Sequence, residues 1–434
     1  MRKLTFASIA SLCMVPATLF LSKDSQAIPA FARKYQTSCY TCHSGFPTRN
    51  AFGEAFRNNG YRWPGGDDEE FTKQEPLKIG NEGWKEVFPE APWPSEIPNF
   101  GPLSVWVRGT LVNYAQQVQD KTGKVVTAQT LNYGAGPMGN GTSLFFGGTL
   151  GEQLSVLGTY DPTAGAARGH FVWAFKPGLN LSVGNFFSDL SFGQAITTSN
   201  SVLPTDPTPN ALGTGAELIY TTERAKFTAG LTEAGTTTTT SAVSSVSNAN
   251  HFDDIRYFRV KYKFGGAGLL SGAGGTYGNE FVGLDNHIAV GGSVVSLRSD
   301  IPVAAAGTSN FAAPYNQGET LISEVDITGN QGNLTGGAAF SRCKDLGYNN
   351  YVIQTGYFIY PWLKATVNYT SLQDGLNPNI ATGITAWLRA NASLALTWTH
   401  PTREFTYTQT NPKATPVAGN SAVDTVALAI GFAL

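Results

Sequence analysis

Charge is what most of this 434-residue sequence lacks. From Gly101 to Leu434 only 38 of 334 residues are Asp, Glu, Lys or Arg, against 18 of the 73 from Ile28 to Phe100. About a quarter charged is ordinary for a soluble protein, and the larger region has less than half of that. A soluble domain of its size needs more surface charge. A wall with lipid on one face and a polar lumen on the other does not.

Cysteine is scarce as well, at four residues. Cys13 lies in the leader, which leaves Cys39, Cys42 and Cys343. That odd, uneven set is not a disulfide scaffold, and Cys343 reads as a spare thiol. Long apolar runs are missing beyond the start. Leu4 to Leu21, with Arg2 and Lys3 before it and Ser25-Gln26-Ala27 after it, reads as an export signal over residues 1–27, cleaved before Ile28. No later stretch is long and apolar enough for a membrane helix. Losing Arg2, Lys3, Lys23 and Asp24 with the signal leaves 26 basic and 30 acidic residues, which argues against a nucleic-acid partner.

What is present after residue 101 is period-two alternation. Val426, Leu428, Ile430, Phe432 and Leu434 share one face of the last segment, and Ala427, Ala429, Gly431 and Ala433 the other. Hairpin patterns recur: 104–118 with 125–133, 142–150 with 154–160, 168–176 with 180–187 around Pro177-Gly178, and 350–359 with 362–371 around Tyr360-Pro361. Longer connections fall at 188–214, 235–250 and 299–317. No sustained 3.6-residue pattern appears. At about 9–11 residues per crossing, the region accommodates roughly 16 strands of a transmembrane antiparallel β-barrel. The expected fold is therefore mainly β, preceded by a small α-helical segment. The expected divisions are signal 1–27, haem-bearing segment 28–63, acidic and proline-rich linker 64–100, and barrel 101–434.

Cys39-Tyr40-Thr41-Cys42-His43 carries the chemistry. Covalent haem c attachment needs two thiols about one turn apart to meet two vinyl groups, and an imidazole next in sequence to reach the iron. A zinc site needs a second ligand pair, and none lies before residue 101. A thioredoxin-like motif needs βαβ context, which is absent. Cys39 and Cys42 are thus the expected thioether residues for one haem c, and His43 the axial ligand. For the sixth position the candidates are Met138, in the glycine-rich stretch 134–139, and His170, with a vacant or water-ligated site as the alternative. Asn50 is positioned to cap a helix over 51–59 that Gly60 closes. Phe52 and Phe56 share a face of it and, with Phe46, are placed to cover a porphyrin or fill a small core. The acidic run Asp67-Asp68-Glu69-Glu70 reads as a solvated loop.

A single haem motif at the mature N-terminus, ahead of a porin-sized barrel, resembles the fused outer-membrane cytochrome–porins linked to ferrous iron oxidation. The resemblance rests on Pro29-Ala30-Phe31-Ala32-Arg33 before the motif, on Ala51-Phe52-Gly53-Glu54-Ala55-Phe56-Arg57 after it, and on the barrel architecture. It implies a haem unit that plugs the barrel and passes electrons between external Fe(II) and periplasmic carriers, in contact with outer-membrane lipid. Residues 62–100 are longer and more acidic than the short tether of that family. Two other functions fit the residues: a solute porin with a haem-bearing plug, and a soluble periplasmic haem protein. Whether Fe(II) oxidation makes the chain an enzyme stays open at this level.

Overall fold

Alternating segments after Leu103 pair edge to edge until the last meets the first. The computed structural model describes residues 30–46, 48–65, 68–73, 87, 103–115, 118–119, 125–127, 130–133, 142–150, 153–162, 166–186, 214–232, 255–273, 277–279, 283–299, 318–343, 348–371, 378–402 and 424–433. Within these, seventeen strands close one antiparallel barrel. Two of the seventeen, Thr130–Tyr133 and Ser143–Leu150, lie end to end against Leu103–Ala115: Val112 faces Tyr133, and Trp106 faces Ser143. The wall therefore has sixteen staves, one of them interrupted.

In chain order the staves are β1 (Leu103–Ala115), β2 (Thr130–Tyr133 with Ser143–Leu150), β3 (Leu154–Asp161), β4 (Ala166–Lys176), β5 (Leu179–Asn185), β6 (Thr214–Thr221), β7 (Ala225–Thr232) and β8 (Ile255–Gly265). They continue as β9 (His287–Ser299), β10 (Gly318–Gln331), β11 (Leu334–Cys343), β12 (Tyr348–Tyr360), β13 (Leu363–Ser371), β14 (Asn379–Arg389), β15 (Ala392–Pro401) and β16 (Thr425–Ala433). β16 closes on β1, from Thr425 opposite Ala115 to Ala433 opposite Trp106. The interrupted stave is the main difference from the expected hairpins. Residues 104–118 and 142–150, read as parts of separate hairpins, are paired here.

Side chains alternate as the sequence pattern requires, with the usual polarity inverted. On β8, Tyr257, Arg259 and Lys263 are buried inside while Phe258, Tyr262 and Phe264 are exposed outside. On β10, Glu324 and Asp326 are inside, and Leu321, Val325 and Ile327 are outside. Exposed aromatics include Phe175, Tyr220, Phe227, Tyr360 and Trp362 near one rim and Phe340, Tyr351 and Trp398 nearer the other. Apolar outer faces bounded by aromatic residues are the surface a bilayer stabilises.

The two rims differ. β2–β3, β4–β5, β6–β7, β10–β11, β12–β13 and β14–β15 are joined by two or three residues at one rim. The opposite rim carries the long connections 186–213, 233–254, 300–317 and 402–424. The expected long connections thus fall at one rim, although their own residues lie outside the described ones. One long connection, 266–286, breaks the rule by joining β8 to β9 at the tight-turn rim.

The N-terminal segment folds as α1 (Ala30–Tyr35), a 3₁₀ turn (Cys39–Thr41), a small ladder of His43–Gly45 with Thr48–Arg49, α2 (Ala51–Asn58) and the one-turn α3 (Asp68–Phe71). The expected helix at 51–59 forms with Asn50 as its cap. The packed unit runs past the expected boundary at Trp63. Trp63 stacks on Phe71 at 4.8 Å, and the Lys73 N–H donates to the Lys34 carbonyl at 2.9 Å.

Asp68 corrects the reading of the acidic run as a solvated loop. Its carboxylate takes the Lys34 ammonium, the Tyr35 hydroxyl (2.6 Å) and the Trp63 N–H (2.9 Å). The physical reason is Lys34, only 3% exposed. An ammonium that deep requires a paired anion.

Candidate functional site

The segment from residue 30 to 73 lies inside the barrel, in the half next to the tight-turn rim. Lys34 donates to Thr149 Oγ1 at the end of β2 (2.9 Å), and Ser155 at the start of β3 donates to the Gly60 carbonyl (2.7 Å). Asn180, beside the β4–β5 turn, donates to the Asn58 carbonyl (2.7 Å). Lys226 at the start of β7 pairs with Glu54 (3.6 Å), which also pairs with Arg49 (2.9 Å). The 266–286 connection completes the seat: Asn58 and Asn59 donate to the carbonyls of Leu269 (2.9 Å) and Leu270 (2.7 Å). The segment is a plug held to the wall from several sides.

Within the plug, the cysteine motif adopts the 3₁₀ turn. Ser38 caps it by accepting from the Tyr40 N–H, and the Cys42 N–H donates to the Cys39 carbonyl at 3.2 Å. In a 3₁₀ turn, side chains three apart eclipse, so Cys39 and Cys42 project to one side. His43 follows directly and opens the small ladder. Cys39 and Cys42 are not disulfide-bonded. Burial pushes both thiols up, Cys42 to about 12. Among the described residues, no group of three or more His, Cys, Asp or Glu comes together to hold a metal ion.

Asn50 does more than cap a helix. Its Oδ1 accepts from the Gly53 N–H (2.9 Å), and its Nδ2 donates to the carbonyls of Tyr40 (2.9 Å) and Thr41 (3.2 Å). Its own N–H donates to the Cys42 carbonyl at 3.0 Å. One residue, through side chain and backbone, thereby holds three motif residues against the start of α2. Gly53 is the facing residue, because a Cβ there would overlap the Cys42 carbonyl oxygen. The capping pattern was visible in the sequence. The grip on the motif was not, since it depends on how the chain folds back.

The aromatic residues divide into two groups. Phe56 packs edge-on against Phe31 (5.2 Å) and Tyr35 (5.8 Å), while Phe52 packs on Trp63 (4.8 Å). These form the small core of the plug. Phe46 instead stands between His43 (5.0 Å) and Trp106 of β1 (5.2 Å). Trp106 and Trp387, two wall residues against the motif that sequence reasoning missed, carry no local signal. Only barrel closure brings β1 and β14 to the same place.

Of the two candidates for a sixth ligand, Met138 lies outside the described residues. His170 is on the lumen face of β4, its ring 5.9 Å from Phe186 and close to the Arg57 charge. His43, by contrast, meets Phe46 beside β1.

A closed sixteen-stave antiparallel barrel, apolar without and polar within, defines a porin-like barrel of the kind that spans outer membranes. This one carries its own N-terminal segment as a plug. No protein-family profile matches the chain, and no curated protein does. Among solved structures it is similar to a loop-deletion mutant of OmpT, an outer membrane protein of Vibrio cholerae, at 10% identity over 76% of this chain and 98% of that one, TM-score 0.45. It is similar to Salmonella typhi OmpF in complex with daunomycin, at 11% identity over 77% and 98%, TM-score 0.48. It is also similar to a mutant of the Rh. blastica porin, at 9% identity over 76% and 99%, TM-score 0.42.

Proposed function

We propose that this chain is an outer-membrane electron-transfer protein whose barrel holds a covalent haem c on Cys39, Cys42 and His43. The observation that carries the reading is the eclipsed pair of unbridged thiols with a histidine next in sequence, set inside a lumen plug. The donor set suits haem: two thiols on one side of a turn, and an imidazole one residue on. When bound, haem c supplies one-electron exchange.

The rest of the work belongs to the chain. Cys39 and Cys42 would hold the porphyrin edge and His43 would supply a nitrogen to the iron, while Asn50 fixes their turn. The plug occupies the tight-turn half of the lumen. In outer-membrane barrels tight turns face the periplasm and long loops face outward. The motif lies in that half, so a haem held there would sit near the periplasmic mouth, within reach of a soluble carrier. A bilayer core is about 30 Å thick, so an external donor such as Fe(II) has to enter the lumen from the long-loop side. Membership of the cytochrome–porin group, and Fe(II) as donor, are parts of this proposal.

Outer-membrane fractionation with a haem stain on denaturing gels tests the core claim. The expected result is a stained band near the mature mass that Cys42→Ala abolishes. An unstained band from cells that load other c-type cytochromes would overturn it. Reductive titration with Fe(II) then tests the donor alone. Bilayer conductance separates this reading from a solute porin, for which the intact protein would show large steady steps. Recovery without detergent would favour a soluble haem protein, and the apolar outer faces argue against that.

A further inference from the structure

We propose that Trp106 and Trp387 are positioning residues that fix the axial His43 through Gly45 and Phe46, two and three residues after it. The inference rests on the haem reading above. Gly45 and Phe46 are gripped from two parts of the wall. The Trp387 indole N–H donates to the Phe46 carbonyl at 3.3 Å. The Trp387 ring also covers Gly45 so closely that a Cβ there would lie 2.5 Å from ring carbons. Gly45 has φ +154°, a conformation other residues rarely adopt. From the other side, Trp106 meets the Phe46 ring edge to face at 5.2 Å and 87°, and Phe46 meets the His43 imidazole at 5.0 Å and 67°. The order of contacts is wall, Phe46, axial ligand.

Both tryptophans are themselves held. Trp387 is 8% exposed, stacks on Phe358 at 6.0 Å, and shares a small apolar cluster with Phe358 and Leu284. The β14–β15 pairing shifts register between Trp387 and Arg389. Alternation along β14, with Ile384 and Leu388 exposed outside, already places the Trp387 indole on the lumen face, toward the plug. Trp106 carries the Arg108 guanidinium over its ring at 4.0 Å and leans on Phe145 at 6.2 Å. A buried Trp finds a partner for its N–H. The Trp387 N–H finds it at the Phe46 carbonyl, in the plug three residues after His43, where it constrains the ligand.

The chemistry needs this constraint. Two thioethers fix the porphyrin edge, while the imidazole still rotates about its own side-chain bonds. Clamping Phe46 limits that rotation and holds the ring plane relative to the barrel.

The test uses the full-length, haem-loaded protein purified in detergent, comparing wild type with Trp387→Phe, Trp387→Ala, Trp106→Phe and Trp106→Ala. Haem staining reads the thioethers, and heat-dependent gel mobility reads the barrel. Displacement of His43 from the reduced iron by added nitric oxide, which weakens the bond opposite to it and gives a distinct five-coordinate visible spectrum, reads the axial ligand. Trypsin cleavage at Arg49 reads the clamp independently of haem. The expected result is unchanged staining and mobility in the Phe variants. Trp387→Phe loses the N–H donor but keeps the packing, and nitric oxide displacement becomes about fivefold easier, the scale of one hydrogen bond. Trp106→Phe, which keeps an aromatic face, stays close to wild type. The Ala variants show larger displacement and faster cleavage. Wild-type displacement and cleavage in both Ala variants, with staining intact, would overturn the positioning role and leave the haem reading standing. A wild-type protein without covalent haem would bring down both.

Discussion

The plug and the barrel solve opposite solvent problems with one chain. The plug, residues 30–73, turns Phe31, Tyr35, Phe56 and Trp63 toward one another as a soluble domain does. The barrel turns Phe171, Trp173 and Phe175 outward and keeps Arg259, Glu324 and Gln354 inside. Its inner charges are paired, as with Arg259 and Asp326 at 2.7 Å or Lys263 and Asp285 at 3.0 Å. The backbone explains the asymmetry. Every barrel strand finds its hydrogen bonds in neighbouring strands, so the wall closes without a core. The plug has three helices of eight residues or fewer. Segments that short and that sparse in apolar area do not stand alone in water. The barrel stands by closure, and the plug by being held.

Separating the two gives the largest expected effect. A chain lacking residues 28–73 is predicted to insert and keep its heat-dependent gel mobility while its lumen opens. Planar-bilayer recordings should change from a near-silent intact protein to large, steady steps. The peptide 28–73 alone, without haem, is predicted to show an unfolded far-ultraviolet spectrum. A folded peptide, or a truncated barrel that stays closed, would break the comparison.

The next effect sharpens it at Asp68. Replacing Asp68 with Ala leaves the Lys34 ammonium buried with Thr149 Oγ1 but without its carboxylate. Breaking a buried pair this way costs about 3–5 kcal/mol, and that loss falls on plug docking and not on the barrel. Protease access to Arg33 and Arg49 measures it, with gel mobility as the control for the wall. The pH dependence follows from the same contacts. Burial alone would raise the Asp68 carboxyl, but the Lys34 and Tyr35 donors and the Lys34 charge outweigh it and hold the carboxyl below its ordinary 3.8. A depressed carboxyl contributes above its unfolded value and loses that contribution as pH falls through the folded one. Docking should therefore be constant near neutrality and weaken progressively below about pH 4. Asp68→Asn should remove that limb. An acid limb that survives in Asp68→Asn would show that another group controls plug release.

The comparison also explains what could be read from the sequence. The barrel was legible because its code is local: Val426, Leu428, Ile430 and Phe432 alternate with Ala427, Ala429, Gly431 and Ala433 in one segment. Outer-face partners bear this out, with Leu428 opposite Leu396 and Val426 opposite Trp398, both exposed. The Asn50 cap was legible for the same reason. What escaped notice was joined by closure. Trp106 and Trp387 lie far apart in sequence, and nothing near either marks a shared target. Asp68 looked solvated because its partner, Lys34, is 34 residues upstream in a different helix. The interrupted stave escaped because 130–133 and 143–150 each resemble an ordinary strand. Only their shared partner, β1, shows that they lie in line.

The smallest effect concerns the hold from the 266–286 connection. Asn58 and Asn59 make similar bonds to adjacent carbonyls, yet their replacements should differ. Asn59 Nδ2 serves both the Leu270 and Ala55 carbonyls, at 2.7 and 2.8 Å. Asn59→Ala loses two bonds, worth about 1 kcal/mol each. Asn58 makes one bond through Nδ2 to Leu269, and its Oδ1 is buried with no hydrogen-bond donor among the described residues. Asn58→Ala therefore loses one bond and also removes an orphaned acceptor, a group that itself costs about 1–3 kcal/mol to bury. The two terms oppose, so Asn58→Ala should lie within about 1 kcal/mol of wild type. Denaturant-dependent protease access to the plug measures both, and the order matters more than either value. If Asn58→Ala proves the more damaging, its Oδ1 has a partner in the folded protein, and the 266–286 connection grips the plug more tightly than these bonds indicate.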